Sequence, residues 1–177
     1  SWAMAGRSAA KLAEVRDLIG APASTPLVVC DAADPAQLDA MARRARVIVT
    51  TVGPYQLYGS ELVAACVRAG TDYVDLCGES NWMAEMIAAH HEAARASGAR
   101  ILFSCGFDSI PFELGVLFAE ETAKRRLGGP VPRVKGRVRN MRGGLSGGTA
   151  ASGAATMDAI RRNPALFQLM INPFAPV

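Results

Sequence analysis

Residues able to hold a phosphorylated ligand recur in this chain at the ends of short apolar runs. The first run closes on Gly6, Arg7 and Ser8. Arg7 offers a planar fork of donors that matches a phosphate dianion, and Ser8 is placed to cap the helix that follows. In dinucleotide-binding sheets an acid at the end of the second strand takes the ribose 2′-hydroxyl of NAD. Gly6-Arg7-Ser8 contains no acid, which favours the 2′-phosphate of NADP. Asp31 and Ala32 end the next run, where an adenine would rest, although aspartate there also serves as a turn former. Thr51, Val52, Gly53 and Pro54 are small or cyclic and let backbone amides come close to a ribose or pyrophosphate, an ordinary proline turn being the alternative. Cys105, Gly106, Phe107 and Asp108 form a further loop, suited to the nicotinamide end of such a ligand. Asp108 or Ser109 can cap the helix that starts near Pro111. Tyr55 is the candidate general acid; Tyr58 and Tyr73 fit equally as packing aromatics. Cys105 lacks a histidine motif to make it a nucleophile, and the adjacent His90 and His91 sit about 100° apart on a helix, so they cannot chelate one metal together.

The elements that would carry these residues follow from periodicity. Strands are expected over 2–6, 27–31, 47–51, 72–76 and 100–104, each a short apolar or β-branched run. Between them lie helical patterns. Leu12, Val15, Leu18 and Ile19 share one face before Gly20; Asp34 precedes Pro35 as an N-cap before a first-turn proline; 60–69 ends at Gly70 and 81–97 at Gly98. Trp82, Met83, Met86 and Ile87 read as core. The alternation predicts an α/β fold, a Rossmann-like doubly wound parallel sheet, with the candidate residues gathered at the carboxyl ends of its strands.

Such a sheet normally opens with a strand and a glycine-rich turn, and none precedes Trp2. The sequence is therefore expected to be amino-terminally truncated, with a hole between the strands at Met4 and Val47. The composition shifts at Gly128-Gly-Pro-Val-Pro132. A nucleotide-binding domain is expected over 1–127 and the start of a mixed α/β second domain over 131–177. Arg133, Lys135, Arg137 and Arg139 alternate with small or apolar residues, predicting a strand with one basic face, either a solvated face or an attractive surface for an acidic or phosphate-bearing partner. Gly143-Gly-Leu-Ser-Gly-Gly-Thr149 precedes a helix that ends before Pro164.

Composition limits the function classes. With 177 residues, half of them hydrophobic, a fifth charged and a net charge of +3, the chain reads as globular, and the charge is too small to imply nucleic acid. The four cysteines are scattered, which suggests free thiols in a reducing compartment. No membrane span is expected. A cytoplasmic location follows, with peripheral membrane association and a homo-oligomeric state left open.

Taken together, Ala5-Gly-Arg-Ser8, Thr51-Val-Gly-Pro-Tyr55 with Tyr58-Gly59, Ala65-Cys66 through Gly70-Thr71, Tyr73-Val-Asp-Leu76 with Gly78-Glu79, Cys105-Gly-Phe-Asp-Ser-Ile-Pro111 and Gly147-Gly-Thr149 resemble the saccharopine dehydrogenase-like oxidoreductases. Within that family they are most similar to the trans-acting enoyl reductase branch. The resemblance implies an NADP(H)-binding Rossmann domain followed by a mixed α/β domain. It also implies hydride delivery to an unsaturated acyl or polyketide chain on a carrier protein. Saccharopine dehydrogenase itself ranks second, because the Gly-Leu-Asp-Pro-Gly-type loop of the lysine-pathway enzymes is replaced here by Gly106-Phe-Asp-Ser-Ile-Pro111. A nucleotide-binding module without turnover is the rival from another class.

Overall fold

The structure, a computed structural model, describes residues 1–144 and 146–172; Leu145 of the glycine-rich turn and 173–177 of the expected second domain lie outside the described residues. The order of elements is β1 Met4–Gly6, α1 Ala9–Leu18, β2 Leu27–Val29, α2 Pro35–Ala42, β3 Val47–Thr50, α3 Tyr55–Tyr58, α4 Ser60–Ala69, β4 Asp72–Asp75, α5 Ser80–Ser97, β5 Ile101–Leu102, α6 Ile110–Leu127, α7 Gly147–Arg162 and α8 Ala165–Ile171. Among the described residues every ladder is parallel. β1 pairs with β2, Met4 opposite Leu27, and β3, β4 and β5 form a second sheet in that order, with Val47 opposite Asp72 and Tyr73 opposite Ile101. Within each sheet, parallel strands joined by helical crossovers leave the strand-end loops on one edge. The fold is a Rossmann-like α/β arrangement, and among the described residues no ladder joins β1 to β3.

Local chemistry explains where the elements begin and stop. Asp34 accepts the N–H groups of Ala36 and Gln37 at 3.0 and 3.1 Å and caps α2, whose first helical residue is Pro35. Gly70 and Gly98 end α4 and α5 in the left-handed region. The core lies between α2, α4, α5 and one face of β3 and β4. Leu38, Ala42, Val63, Ala65, Cys66, Tyr73, Trp82 and Met86 are all buried there. Polar contacts fix the helices over it. The Arg68 guanidinium holds Asp39 at 2.7 Å, joining α4 to α2; the Thr71 hydroxyl donates to the Ala42 carbonyl at 2.8 Å; the Trp82 indole N–H donates to Ser60 Oγ at 2.9 Å. The opposite face of the three-stranded sheet is open among the described residues, Val49 being 71% exposed and Leu76 and Leu102 about half exposed.

Three expectations are corrected. The α1 stripe buries only Leu12, while Leu18 and Ile19 face outward, because β1 and β2 offer a narrow surface to pack against. The basic run from Arg133 to Asn140 is not a strand: no neighbour pairs with it among the described residues, and alternation without a ladder partner leaves the backbone irregular. Ser109 is the N-cap residue of α6, yet neither it nor Asp108 supplies a side-chain cap bond. Elsewhere the expected strands shorten by one to three residues, since ladder bonds stop before the chain turns.

Candidate cofactor site at the carboxyl edge of the sheets

The loops that follow β1, β2, β3 and β5 hold the residues expected to touch a cofactor, apart from Gly6, which is the last residue of β1. Arg7 directly follows β1, is exposed, and makes no hydrogen bond or ion pair among the described residues. Its guanidinium is therefore free to receive an anion. Ser8 accepts the Lys11 N–H at 3.2 Å and caps α1. Its hydroxyl proton remains available as a donor. Gly6 approaches Leu12 so closely that a Cβ would lie 3.2 Å from that side chain. After β2, Asp31 forms a turn with its Oδ1 accepting the Ala33 N–H at 2.9 Å, and its own N–H donates to Gln37 Oε1 at 3.0 Å. Asp31 and Ala32 are half-buried beside it.

After β3, Thr50 Oγ1 accepts the Val52 N–H at 3.2 Å, which turns Thr51, Val52, Gly53 and Pro54 across the sheet edge toward α3. Thr51 and Val52 are exposed there. α7 lies against this loop: Gln56 donates to Thr156 Oγ1 at 3.2 Å, and Ser152 sits beside Gly53. Tyr55 is buried at the start of α3. Its ring packs on Trp82 with centroids 5.6 Å apart, and its hydroxyl donates to the Thr50 carbonyl at 3.3 Å. Burial pushes the Tyr55 phenol up to about 12.

After β5, the Cys105 N–H donates to the Asp75 carbonyl at 2.7 Å. Gly106 passes so near β4 that a Cβ would meet Leu76 Cβ at 3.0 Å, so only glycine lets this loop lie flat against the sheet edge. Its carbonyl accepts the N–H groups of Ser109 and Ile110 and starts α6. Phe107 and Asp108 are exposed beside it, and the Phe107 ring meets Phe112 edge-on at 6.2 Å. Burial raises the Cys105 thiol above its ordinary value, so it is not a ready thiolate.

Two residues that hold these loops were not singled out from sequence for any role. Asp75 and Glu79 are carboxylates only 2% exposed, and both take backbone N–H groups from the loops around them. The signal was present in Tyr73-Val-Asp75: with a period of two, Asp75 shares the buried face of β4 with Tyr73, where an acid has to be fully hydrogen-bonded.

An unpaired arginine at the end of β1, close-approach glycines and small loop residues thus stand at the carboxyl ends of these parallel strands. Residues 1–102 match the family model described as the saccharopine dehydrogenase NADP binding domain. A Mycobacterium ulcerans protein named trans-acting enoyl reductase is 44% identical over 97% of this chain and 42% of its own length. A Mycobacterium tuberculosis protein provisionally given that name is 43% identical over 97% of this chain and 41% of its own length, so the chain spans well under half of these relatives. A solved apo saccharopine dehydrogenase (L-Glu forming) from Saccharomyces cerevisiae aligns at a TM-score of 0.47 and 18% identity, over 68% of this chain and 24% of that one. The family model covers more than half of the residues, and the chain belongs to the saccharopine dehydrogenase NADP-binding family.

Proposed function

We propose that this chain is the cofactor-binding part of an NADPH-dependent enoyl reductase. The observation that supports the reading best is the unpaired Arg7 guanidinium where NAD-binding sheets place an acid. In this reading residues 1–127 bind the nucleotide and 131–177 begin a second unit. Arg7 and Ser8 hold the 2′-phosphate, Asp31 and Ala32 flank the adenine, and Thr51 to Pro54 lie along the ribose and pyrophosphate. Cys105 to Asp108 border the nicotinamide, which when bound supplies a hydride to an electron-poor double bond. The protein's part is to orient the ring, keep water from it and fix the substrate beside it.

The relatives are named trans-acting enoyl reductases, and in this reading the substrate is an unsaturated acyl or polyketide chain presented on a carrier protein. A groove of about 510 Å³ runs between α6 and the segment after it, with Phe118, Leu127, Val131 and Val134 as apolar lining and Arg126, Arg133 and Lys135 at its rim. At 1.5 Å of rise per residue its lining begins roughly 12 Å along α6 from the carboxyl edge. It is therefore too distant for the reacting carbons, and suits instead a remote, anionic part of an acyl-carrying partner. The exposed Arg137 and Arg139 extend the same positive surface.

Fluorescence titration with NADPH and NADH tests the cofactor reading. The protein is expected to prefer NADPH, and Arg7→Ala to weaken NADPH binding about 10- to 100-fold with NADH little changed, the usual loss for one charged hydrogen-bonding partner. An equal effect on both nucleotides removes Arg7 from the phosphate site. Oxidation of NADPH with an enoyl thioester then separates a reductase from a module that only binds.

A further inference from the structure

The segment between β4 and α5 touches both loops assigned to the inner half of the cofactor. Glu79 Oε1 accepts the Tyr55 N–H at 2.9 Å and Oε2 accepts the Gln56 N–H at 2.9 Å, so one carboxylate caps α3 at the point where the loop after β3 ends. Pro54, the residue before the helix, has no side chain that could cap it. Asp75 Oδ1 accepts the Ser104 N–H at 2.8 Å and the Cys77 N–H at 3.0 Å, and Oδ2 accepts the Tyr73 hydroxyl at 2.8 Å. Its backbone carbonyl takes the Cys105 N–H. Ser104 is the one non-glycine described residue at positive φ, +57°, and its hydroxyl donates to the Cys77 carbonyl at 2.6 Å.

Burying two carboxylates a few residues apart is costly, and each is tolerated because backbone donors surround it. Mutual repulsion adds to that cost: Asp75 is held above the ordinary carboxylate range, first by burial and in smaller part by Glu79. Core packing does not require such groups, since an apolar pair of the same volume would serve as well or better. What an apolar pair cannot do is fix the ends of two separate loops by directed hydrogen bonds.

We propose that Asp75 and Glu79 are positioning residues that hold the Thr51–Pro54 and Cys105–Asp108 loops at a fixed separation, so that the cofactor meets a slot already formed. The inference rests on the NADP reading above. Glu79 sets where the first loop enters α3. Asp75 sets the turn at Ser104 from which the second loop departs, and Gly106 then lies flat against Leu76.

The test uses the full protein and isothermal NADPH titration well below the melting temperature, with the melting temperature recorded separately. Glu79→Gln keeps the shape but presents an amide N–H₂ to one of two backbone donors; Asp75→Ala removes the acceptor outright. Both are expected to weaken NADPH binding about tenfold or more while still folded, the loss that follows from unpaired buried donors. Asp75→Asn retains an acceptor for Ser104 and Cys77 and is expected to rescue binding to within about threefold of the parent. Hydrogen exchange on the unmutated protein provides an independent arm that does not depend on variant folding: the Tyr55, Gln56 and Ser104 amides should be protected without nucleotide. If the parent binds NADPH and folded Glu79→Gln and Asp75→Ala bind it equally well, or if those amides exchange freely while the core is protected, the positioning role is overturned. If the parent binds no NADPH, it is the cofactor reading that fails.

Discussion

Tyr55 shows at the scale of a single residue how placement decides between two chemistries. The sequence offers it as a proton donor because it stands beside a strand-end loop. Its hydroxyl, however, donates to the Thr50 carbonyl, its ring packs on Trp82, and burial keeps its proton to about pH 12. A general acid works best with a pKa near the operating pH and a path to the substrate. Tyr55→Phe is therefore expected to keep turnover within about threefold and to cost about 1 kcal/mol of stability through the lost hydrogen bond. Steady-state kinetics and thermal melts check both halves, and a hundredfold fall in turnover at unchanged NADPH affinity would restore the proton-donor role. The strand-end position of Arg7 was legible in the sequence because it depends only on where one apolar run stops. The loop-holding contacts of Asp75 and Glu79 were not, since Glu79 meets Tyr55 across 24 residues and Asp75 meets Ser104 across 29, and nothing local marks that these distant backbone donors will come to them.

At the scale of elements, the helix stops and caps were readable because they are local chemistry: Asp34 before Pro35, Gly70 after Ala69, Gly98 after Ser97. The basic run at Arg133 was misleading for the complementary reason, as a strand depends on a ladder partner that periodicity does not supply. Gly59 belongs to neither group. It joins α3 to α4 with right-handed helical φ and ψ that any residue can adopt, yet a Cβ there would lie 2.7 Å from Trp82 Cζ2 and 2.8 Å from the Tyr55 carbonyl oxygen. The indole is held by its edge-on contact with Phe103 at 5.4 Å and by its bond to Ser60, which resists its swinging aside. Gly59→Ala is thus expected to destabilise by about 1–3 kcal/mol although alanine is the better helix former. Differential scanning calorimetry should show a fall of roughly 5 °C in melting temperature. An unchanged or raised value would mean that α4 shifts freely against α5.

Over the whole molecule, folding withdraws several weak acids from water at once, and this sets the alkaline limit of stability. Burial raises the Cys66 and Cys77 thiols from 9.0 to about 12 and the Tyr55 phenol from 10.0 to about 12. A group whose pKa is higher in the folded state adds stability that is complete below its unfolded value and is lost as the pH climbs toward its folded one. Below about pH 9 the unfolded chain keeps these protons too, so the difference does not appear. Above that, the unfolded chain releases protons that the native protein retains, and stability falls by about 1.4 kcal/mol per pH unit for each such thiol, with Tyr55 joining beyond pH 10. Urea unfolding at pH 8, 9.5 and 11 should show that progressive loss. Cys66→Ala, which removes one of the titrating groups from the centre of the helix layer, should make the pH dependence shallower even though it lowers stability at pH 8. Equal slopes for the two proteins would mean that Cys66 ionises as readily in the fold as out of it, and that the layer of α2, α4 and α5 admits water to its middle.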